Sequence, residues 1–444
     1  MKTALLLTAL VALANAQDAQ IPLAGDASLC ADVLSPDAFA ALSTLQSQEI
    51  LAAWQGRDVV DLLTEVGDAC GLDAVRLVQV FGEDEPRSMT EGDKLRLRAS
   101  GYEFMDITDH PNLGALRRAR AVALDLSPVD LLNLPSSSPE ISIDALREIA
   151  RLTSDLDDAH LRQDIANLTS FWTRSYRSPW GARSSDWLHG YVTEIVKAAS
   201  PSVNVTIRRF QHAFPQKSLT VRIEGAAEKY RAPNDTQLII IIGAHQDSLN
   251  YLLPFYRAPG TDDDGSGTVV LLHILRTLMK QTFTPPAGMA IELHWYARKR
   301  AECLGDIAAE YEREDKEVLG MLQMDGLAVV KHGSVPRIGF FQDEVDKGLV
   351  DYVTGLVDAY LPVPWVLTGC GKRCGSDHMS WTRAGYRAAY VCEGPFEEMG
   401  EGYHTVNDTL ELLEGEYSFE HLLRFVKLGI SFIVEMSASS ASHR

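Results

Sequence analysis

The sequence predicts an α/β fold, in which a mixed, mostly parallel sheet lies between helices in a three-layer α/β/α sandwich. Three observations lead to this prediction. Predicted helices and strands alternate from about residue 141 onward. The apolar run Leu238–Ile242 is typical of a strand that is buried on both faces. Polar residues of the metal-ligand type follow several strands, as they do at the carboxyl edge of open α/β sheets.

Length and composition indicate a folded protein with one large domain and an additional segment. The chain has 444 residues, of which 46% are hydrophobic and 23% are charged. A chain of this composition has enough apolar surface for a core, and this argues against disorder. The net charge is −20, which disfavours nucleic acid and anionic membranes as partners.

The amino terminus has the features of a secretory signal peptide over residues 1–16. Lys2 supplies the positive start, Ala4–Leu13 the short apolar stretch and Ala14–Ala16 the small-residue cleavage site. The apolar stretch is too short to span a bilayer. We therefore expect a secreted, extracellular protein without a membrane anchor, and its candidate glycosylation sites are Asn167, Asn204, Asn234 and Asn407.

Residues 17–120 differ in texture from the rest and are predicted to be a mainly helical prosegment, with helix-like stretches at Ala38–Trp54 and Val59–Val66. The basic residues Arg117, Arg118 and Arg120 form either a cleavage site for an extracellular protease or a solvated helix face. Residues 121–444 form the main domain. The chain has an even number of cysteines, which can pair in an oxidising compartment: Cys30, Cys70, Cys303, Cys370, Cys374 and Cys392.

Within the main domain, short apolar runs predict seven strands and longer periodic stretches predict four principal helices. The predicted strands are Asn204–Arg208, Leu219–Glu224, Gln237–Ala244, Met289–Ala297, Leu319–Asp325, Ile338–Gln342 and Ala388–Glu393. The predicted helices are Trp187–Ala199, Gly267–Lys280, Asp346–Tyr360 and Phe419–Glu435.

The segment Ile239–Gly267 carries the first group of candidate ligands. A strand leads into His245 and Asp247, and a loop then presents Asp262, Asp263 and Asp264 beside a glycine turn. We expect Asp262 and Asp264 to cap the following helix. Two further candidates, Asp325 and His404, come later in the chain. Two histidines and two or three carboxylates could hold one or two divalent cations such as zinc.

Five stretches, in this order, resemble the site motifs of the extracellular leucine aminopeptidases of the co-catalytic two-zinc metallopeptidase family. They are AHQDS, APGTDDDGSGT, LQMD, CGKRCGSDHMSW and GYHTVNDTL. The segments Phe104–Gly114 and Asn167–Leu188 resemble the end of that family's prosegment and its first catalytic-domain helices. The resemblance covers nearly the whole chain.

The resemblance implies that His245 and Asp325 bind one zinc, that Asp263 bridges both ions and that His404 binds the second. Asp247 would hydrogen-bond His245 and so orient the imidazole. Cys370 and Cys374 would form a tight disulfide that shapes the substrate pocket. The family removes N-terminal residues, often leucine, from peptides and proteins, and its prosegment assists folding and restrains activity.

The chain departs from the family pattern after the predicted strand Met289–Ala297. The family has two adjacent glutamates there: the general base and a ligand of the second zinc. Ungapped alignment of Trp295–Gly305 places Lys299 at the base position and Arg300 at the ligand position. Lys372 also stands where relatives often carry a tyrosine that steadies the oxyanion.

Two cations in place of two carboxylates oppose the binding of a second metal ion. At about 4 Å and an effective dielectric constant near 20, each misplaced unit charge costs several kcal/mol. Arginine cannot escape by deprotonation. We therefore expect one zinc or none, with Arg300 pairing with Asp263 and with impaired or lost hydrolysis.

Alternative interpretations remain at this point. In the first interpretation the protein is an active aminopeptidase. Either neutral Lys299 acts as the base, or another carboxylate completes the site while the basic residues 298–300 face solvent. Alternatively, it is an inactive pseudoenzyme that binds peptides or a partner. Counting zinc ions separates these possibilities.

Overall fold

The computed structural model describes residues 74–81, 83, 85–90, 93–94, 97, 102, 104–126, 139, 141–226, 237–250, 257–297, 304–371, 375–400 and 402–441. The chain divides into two compact units. The first contains the residues up to Thr108 together with 250–256, and the second contains residues 109–249 and 257–444. Every candidate metal ligand lies in the second unit.

The described part of the first unit contains an antiparallel sheet with the strand order β2-β1-β3, formed by Val75–Val80 (β1), Arg87–Thr90 (β2) and Phe104–Asp106 (β3). Buried Asp106 accepts hydrogen bonds from Lys94 and Arg76, each at 2.8 Å. The sequence analysis missed this sheet. The helices predicted at 38–54 and 59–66 lie outside the described residues, so the mainly helical prosegment stays a prediction.

The second unit is built on an eight-stranded sheet with the order β10-β9-β11-β8-β6-β7-β5-β4. The pairs β10–β9, β11–β8, β8–β6 and β6–β7 are parallel, and the other three are antiparallel. The strands are Val205–Phe210 (β4), Ser218–Glu224 (β5), Leu238–His245 (β6), Met289–Tyr296 (β7), Glu317–Met324 (β8), Ile338–Phe341 (β9), Trp365–Thr368 (β10) and Ala388–Cys392 (β11). The predicted mixed sheet is confirmed.

Helices cover both faces of the sheet. They are Ala115–Ala123 (α1), Ile143–Leu152 (α2), Ala159–Leu168 (α3), Pro179–Lys197 (α4), Gly265–Lys280 (α5), Leu304–Arg313 (α6), Lys347–Tyr360 (α7), His378–Arg383 (α8) and Phe419–Ala441 (α9). Strand β6 shows the three layers directly, because alternate side chains of a strand point to opposite faces. Ile240 and Ile242 pack in the core that contains α5 and α9, and Ile239 and Ile241 pack in the core that contains α6 and α8.

The seven strands predicted for the main domain and its four principal helices are all present. Strand boundaries agree within two residues, and helix α4 begins eight residues earlier than predicted because Ser178 accepts a hydrogen bond from Gly181 N and Pro179 occupies the first turn. Strand β10 and helices α6 and α8 were missed. These elements are short or strongly polar, so their hydrophobic pattern is weak.

Helix α1 contains the basic residues that the sequence left as either a cleavage site or a solvated face. The Glu312 carboxylate accepts the backbone N–H groups of Gly114, Leu116 and Arg117 and so caps this helix. Arg117 is only 3% exposed and pairs with Glu317. A protease would therefore have to displace α1 before it could cleave there, and the prosegment boundary at residue 120 stays a prediction.

Within the described residues, no helix combines the length and the apolar character that a membrane span requires.

Candidate metal centre

The parallel strands β6 and β8 bring His245 and Asp325 to the same edge of the sheet. His245 is the last residue of β6, and Asp325 follows β8 directly. The two strands are neighbours, with Gly243 of β6 opposite Gln323 of β8. Both side chains are buried, and His245 Nε2 lies 3.6 Å from Asp325 Oδ1. This is the strand-end location that the apolar runs predicted.

Asp263 connects the two candidate histidines. Its Oδ1 lies 3.0 Å from His245 Nε2, and its Oδ2 lies 2.7 Å from His404 Nε2. His404 belongs to the loop before α9 and adopts a left-handed backbone conformation with φ of 59°. Such a conformation is uncommon for a residue other than glycine. The fold thus places one carboxylate between two imidazoles that are 159 positions apart in the numbering.

The supporting contacts orient these side chains. Asp247 Oδ1 lies 3.0 Å from His245 Nδ1, which leaves Nε2 directed at Asp263. Ser376 Oγ donates a 2.6 Å hydrogen bond to Asp325 Oδ2, and Gln323 in turn donates to Ser376 Oγ at 3.2 Å. The sequence analysis gave Asp247 this role, but it missed Ser376 and Gln323, which carry no ligand-like signal of their own.

Among the described residues, one group of three potential ligands has atoms within 4.8 Å of one another: His245, Asp264 and Asp325. Asp264, however, uses its two carboxylate oxygens to accept the backbone N–H groups of Gly267 and His245. It is the N-cap of α5, as predicted. Because Asp263 faces both imidazoles, we assign Asp263 rather than Asp264 to the candidate ligand set.

The prediction that Asp262 also caps α5 is wrong. Its Oδ1 accepts the backbone N–H groups of Leu327 and Ala328, and its Oδ2 accepts a 2.7 Å hydrogen bond from Tyr403. Asp262 therefore ties the loop before α5 to the loop after β8. Tyr403 Oη also lies 3.0 Å from Glu393 Oε1, and burial together with the charge of Asp262 raises the pKa of Glu393 well above its ordinary value.

Asp408 supports the loop that presents the candidate ligand Asp263, and it was not singled out from the sequence. Its two carboxylate oxygens accept the backbone N–H groups of Asp262 and Asp263, each at 2.9 Å. Burial and the charge of Asp262 raise its pKa to about 7. The motif GYHTVNDTL contains this aspartate, but only the folded chain shows which amides it holds.

Arg174 is a second residue that the sequence did not reveal. Its guanidinium is fully buried and donates to the carbonyl oxygens of Gln246, Pro259 and Gly260. Burial lowers the pKa of Arg174 to about 10. The charges of nearby aspartates, of which Asp408 contributes most, act in the opposite direction and raise it. Arg174 thus joins the two loops that carry His245 and Asp263 and supplies positive charge below an acidic site.

Gly326 shows how closely these loops pack. It has φ of +67°, and a Cβ at this position would come within 2.6 Å of Tyr403 Oη. Any side chain larger than hydrogen would therefore displace Tyr403 and its bond to Asp262. The residue after Asp325 must be glycine for the two loops to meet.

Several predicted residues lie outside the described part of the chain: Lys299, Arg300, Lys372, Cys374, Cys30, Cys70, Cys303 and Asn234. Their roles stay predictions. Cys370 is disulfide-bonded, which is compatible with the predicted Cys370–Cys374 pair. Cys392 is a buried free thiol, so it does not take part in the cysteine pairing that the sequence allows. His294 is fully buried in β7 and hydrogen-bonds Glu292, which makes it a core residue.

The donor set suits a borderline divalent cation. Two imidazoles and two carboxylates, all buried or nearly so, are neighbours here: His245 and His404 both contact Asp263, and His245 also lies near Asp325. Histidine and aspartate are ordinary zinc ligands. The residues present therefore fit a metal ion of this class.

Comparison with known proteins shows which proteins this chain is similar to. The sequence profile of peptidase family M28 matches residues 226–421, and proteins of this family are zinc-dependent. Leucine aminopeptidase 1 of Grosmannia clavigera is 36% identical over 363 residues, which cover 80% of this chain and 83% of that protein. Leucine aminopeptidase 1 of Metarhizium robertsii is 36% identical over 358 residues, covering 78% and 84%.

Solved structures show the same fold. The LapA aminopeptidase of Legionella pneumophila superposes with a TM-score of 0.64 at 22% identity, covering 81% of this chain and 93% of LapA. LapB of the same organism gives a TM-score of 0.62 at 22% identity, covering 85% and 97%. From the extent of its match to the leucine aminopeptidases, this chain belongs to peptidase family M28.

Proposed function

We propose that this chain is a secreted aminopeptidase-type protein that receives the N termini of peptides at a zinc centre but hydrolyses them poorly. The observation that carries the metal centre is the position of Asp263 between His245 and His404. The relatives named leucine aminopeptidase 1 favour a leucine-type N-terminal residue as the one that would be removed. Peptides and protein N termini are thus the proposed partners.

In this proposal His245, Asp263 and Asp325 would hold one zinc ion. His404, which contacts the other carboxylate oxygen of Asp263, would be a ligand for a second. Bound zinc supplies Lewis-acid polarisation of a peptide carbonyl. Asp247 fixes the orientation of His245, and Ser376 fixes Asp325. These hydrogen-bonding partners reduce the freedom of the ligands and so favour metal binding.

The impairment follows from Lys299 and Arg300. Tyr296, the last residue of β7, lies opposite His245 in the β6–β7 ladder, so the chain leaves β7 at the edge that carries the candidate ligands. Lys299 and Arg300 come two and three residues after Ala297. A chain reaches at most about 3.3–3.6 Å per residue, so both Cα atoms lie within roughly 11 Å of that of Ala297. We infer that two cations this close in sequence to the end of β7 disfavour a second zinc.

The alternative is a catalytically inactive pseudoenzyme that binds peptides or a partner protein. The same substitutions favour it, because loss of a positioned base alone slows a reaction by about 10²–10⁴. A secreted location is supported by the predicted signal peptide and by the exposure of Asn167, Asn204 and Asn407, three of the four candidate glycosylation sites.

The deciding experiment compares the wild type with the double variant Lys299→Glu/Arg300→Glu. We expect at most one zinc per wild-type chain with little hydrolysis of leucine p-nitroanilide, and a second zinc with increased turnover in the variant. A matched control is Arg147→Glu/Lys197→Glu, which changes the same charge at side chains that are 77% and 66% exposed. Two zinc ions and turnover typical of the family in the wild type would refute the proposal.

A further inference from the structure

A continuous hydrogen-bonded chain joins four separate parts of the second unit next to the carboxyl end of β7. His212, in the loop between β4 and β5, lies at its centre. Its Nδ1 lies 2.8 Å from Asp306 Oδ2, and its Nε2 lies 2.7 Å from Ser218 Oγ. The other carboxylate oxygen of Asp306 lies 2.7 Å from His110 Nε2.

The chain ends on the backbone of β7. Ser218 Oγ accepts the backbone N–H of Ala297 at 2.9 Å, one residue past the end of the strand. Asp306 belongs to the first turn of α6, the next described helix after β7. The four side chains therefore hold both ends of the connection between β7 and α6. We refer to Ser218, His212, Asp306 and His110 as the β7–α6 clamp.

The hydrogens of the clamp have one consistent arrangement around a neutral His212. A serine hydroxyl has one hydrogen, and Ser218 already accepts from Ala297, so it donates to Nε2 of His212. The proton of the imidazole is then on Nδ1 and points to Asp306. Burial raises the pKa of Asp306, but the hydrogen bonds from His110 and His212 outweigh it and lower this pKa to about 2.

The order serine, histidine, aspartate is that of a hydrolytic triad, but the surroundings exclude a nucleophile. Ser218 is only 1% exposed, and its oxygen is occupied by the Ala297 amide. A nucleophilic serine needs open access for a substrate carbonyl. The clamp is therefore an ordering device.

The sheet shows which part of the molecule the clamp holds in place. Ala297 follows Tyr296, which lies opposite the candidate ligand His245 in the β6–β7 ladder. Residues 298–303, with Lys299 and Arg300, connect the two clamped ends. A connection whose two ends are fixed has far fewer arrangements open to it than one with a free end.

We propose that His212 is a positioning residue, which acts through Ser218 and Asp306 to fix the carboxyl end of β7, beside the strand end that carries His245, and the first turn of α6. The catalytic part of this inference rests on the proposed function, because it concerns the edge of the sheet at which the candidate ligand His245 lies. The structural part, that the Ala297 amide and the start of α6 depend on His212, stands independently of any activity.

The experiment has two readouts. The first uses the full chain without substrate: ¹⁵N NMR of the imidazoles at about pH 8, above the ordinary histidine pKa of about 6.5, and hydrogen exchange of the Ala297 amide. We expect the Nδ1–H tautomer at His212, and exchange about tenfold faster at Ala297 in Ser218→Ala, since one hydrogen bond is lost. The variant Ser218→Thr keeps the hydroxyl and should restore protection.

The second readout uses whichever protein turns over, either the wild type or Lys299→Glu/Arg300→Glu. There His212→Ala should lower kcat by about tenfold to a hundredfold with little change in KM, because misplaced groups affect the reaction more than binding. Ser431→Ala is the matched control, since Ser431 is buried and bonds only a carbonyl of its own helix among the described contacts.

The outcomes separate the two proposals. An Nε2–H tautomer at His212, or unchanged exchange at Ala297 in Ser218→Ala, overturns the clamp whatever the activity. Faster exchange at Ala297 without any turnover in either protein leaves the clamp standing and counts against the proposed hydrolysis. Faster exchange with kcat unaffected by His212→Ala overturns the positioning role.

Discussion

The carboxylate of Asp408 accepts the backbone N–H of Asp263 at 2.9 Å, and with its other oxygen it accepts that of Asp262. The loop that presents the central candidate ligand is therefore held from below by a buried side chain 145 positions away. Asp408 contacts no histidine in the described structure but sets the position of the residue that contacts two. It belongs to the supporting layer on which metal affinity depends.

We expect Asp408→Asn to weaken zinc binding by about 10- to 100-fold, the usual effect of losing an outer partner of a metal ligand. The amide can accept only one of the two N–H groups and turns its own NH₂ toward the other. Zinc affinity measured by competition with a chelator checks this. Asp351→Asn on the exposed side of α7 is the control, and equal affinities in both variants would contradict the expectation.

Arg174→Ala should destabilise the second unit by roughly 3–5 kcal/mol, the range found when one partner of a buried charged network is removed. Three carbonyl oxygens, those of Gln246, Pro259 and Gly260, would lose their donor. Denaturant unfolding measures the loss. Arg183→Ala, at a less buried arginine of α4, should cost far less, and a similar cost at both sites would show that the buried network has no special weight.

Glu312→Ala should lower stability by about 1–3 kcal/mol, because it removes the acceptor for three N–H groups at the start of α1. Glu312→Gln keeps one oxygen and should lose less. Limited proteolysis with trypsin gives a second measurement, since release of α1 would expose Arg117, which is now 3% exposed. If trypsin cleaved after Arg117 no faster in Glu312→Ala than in the wild type, the cap would not be what holds the helix.

The lowered pKa of Glu292 predicts that the free energy of unfolding decreases at acid pH. Burial raises its pKa, but hydrogen bonding and charge from His294, the charge of Arg222 and a bond from Tyr311 outweigh this and lower it from 4.5 to about 2. A lowered carboxyl pKa stabilises the folded state above the unfolded-state pKa, and this stabilisation is lost as the pH falls from about 4.5 through about 2. Its size is on the order of 3 kcal/mol.

The measurement is urea unfolding of the wild type and Glu292→Gln between neutral pH and about pH 2.5. The variant should be less stable at neutral pH, and the difference should shrink as the pH falls. Glu194→Gln is the control, because Glu194 is 70% exposed in a surface pair with Lys197. A difference between wild type and Glu292→Gln that is independent of pH would contradict the assignment.

The sequence predicted the layers well because they depend on local patterns. The run Leu238–Ile242 predicted a buried strand and the periodic stretch at Phe419–Glu435 predicted a core helix, and both elements are present. Strand β10 was missed because its four residues carry no clear alternation, and the sheet β1–β3 because its strands are short and half polar. Such elements form through their neighbours rather than through their own pattern.

By itself the sequence determined the apolar strands and the ligand-type residues that follow them, and it led to the proposal that Lys299 and Arg300 replace two carboxylates. The family resemblance implied Asp263 as the shared ligand, but only the tertiary structure shows the physical reason, because Asp262, Asp263 and Asp264 are three adjacent carboxylates of the same type. Their separation arises from distant hydrogen-bond partners: Asp262 meets Tyr403, and Asp264 holds the start of α5. Contacts between residues far apart in sequence exist only after the chain has folded, so no local pattern could have shown them.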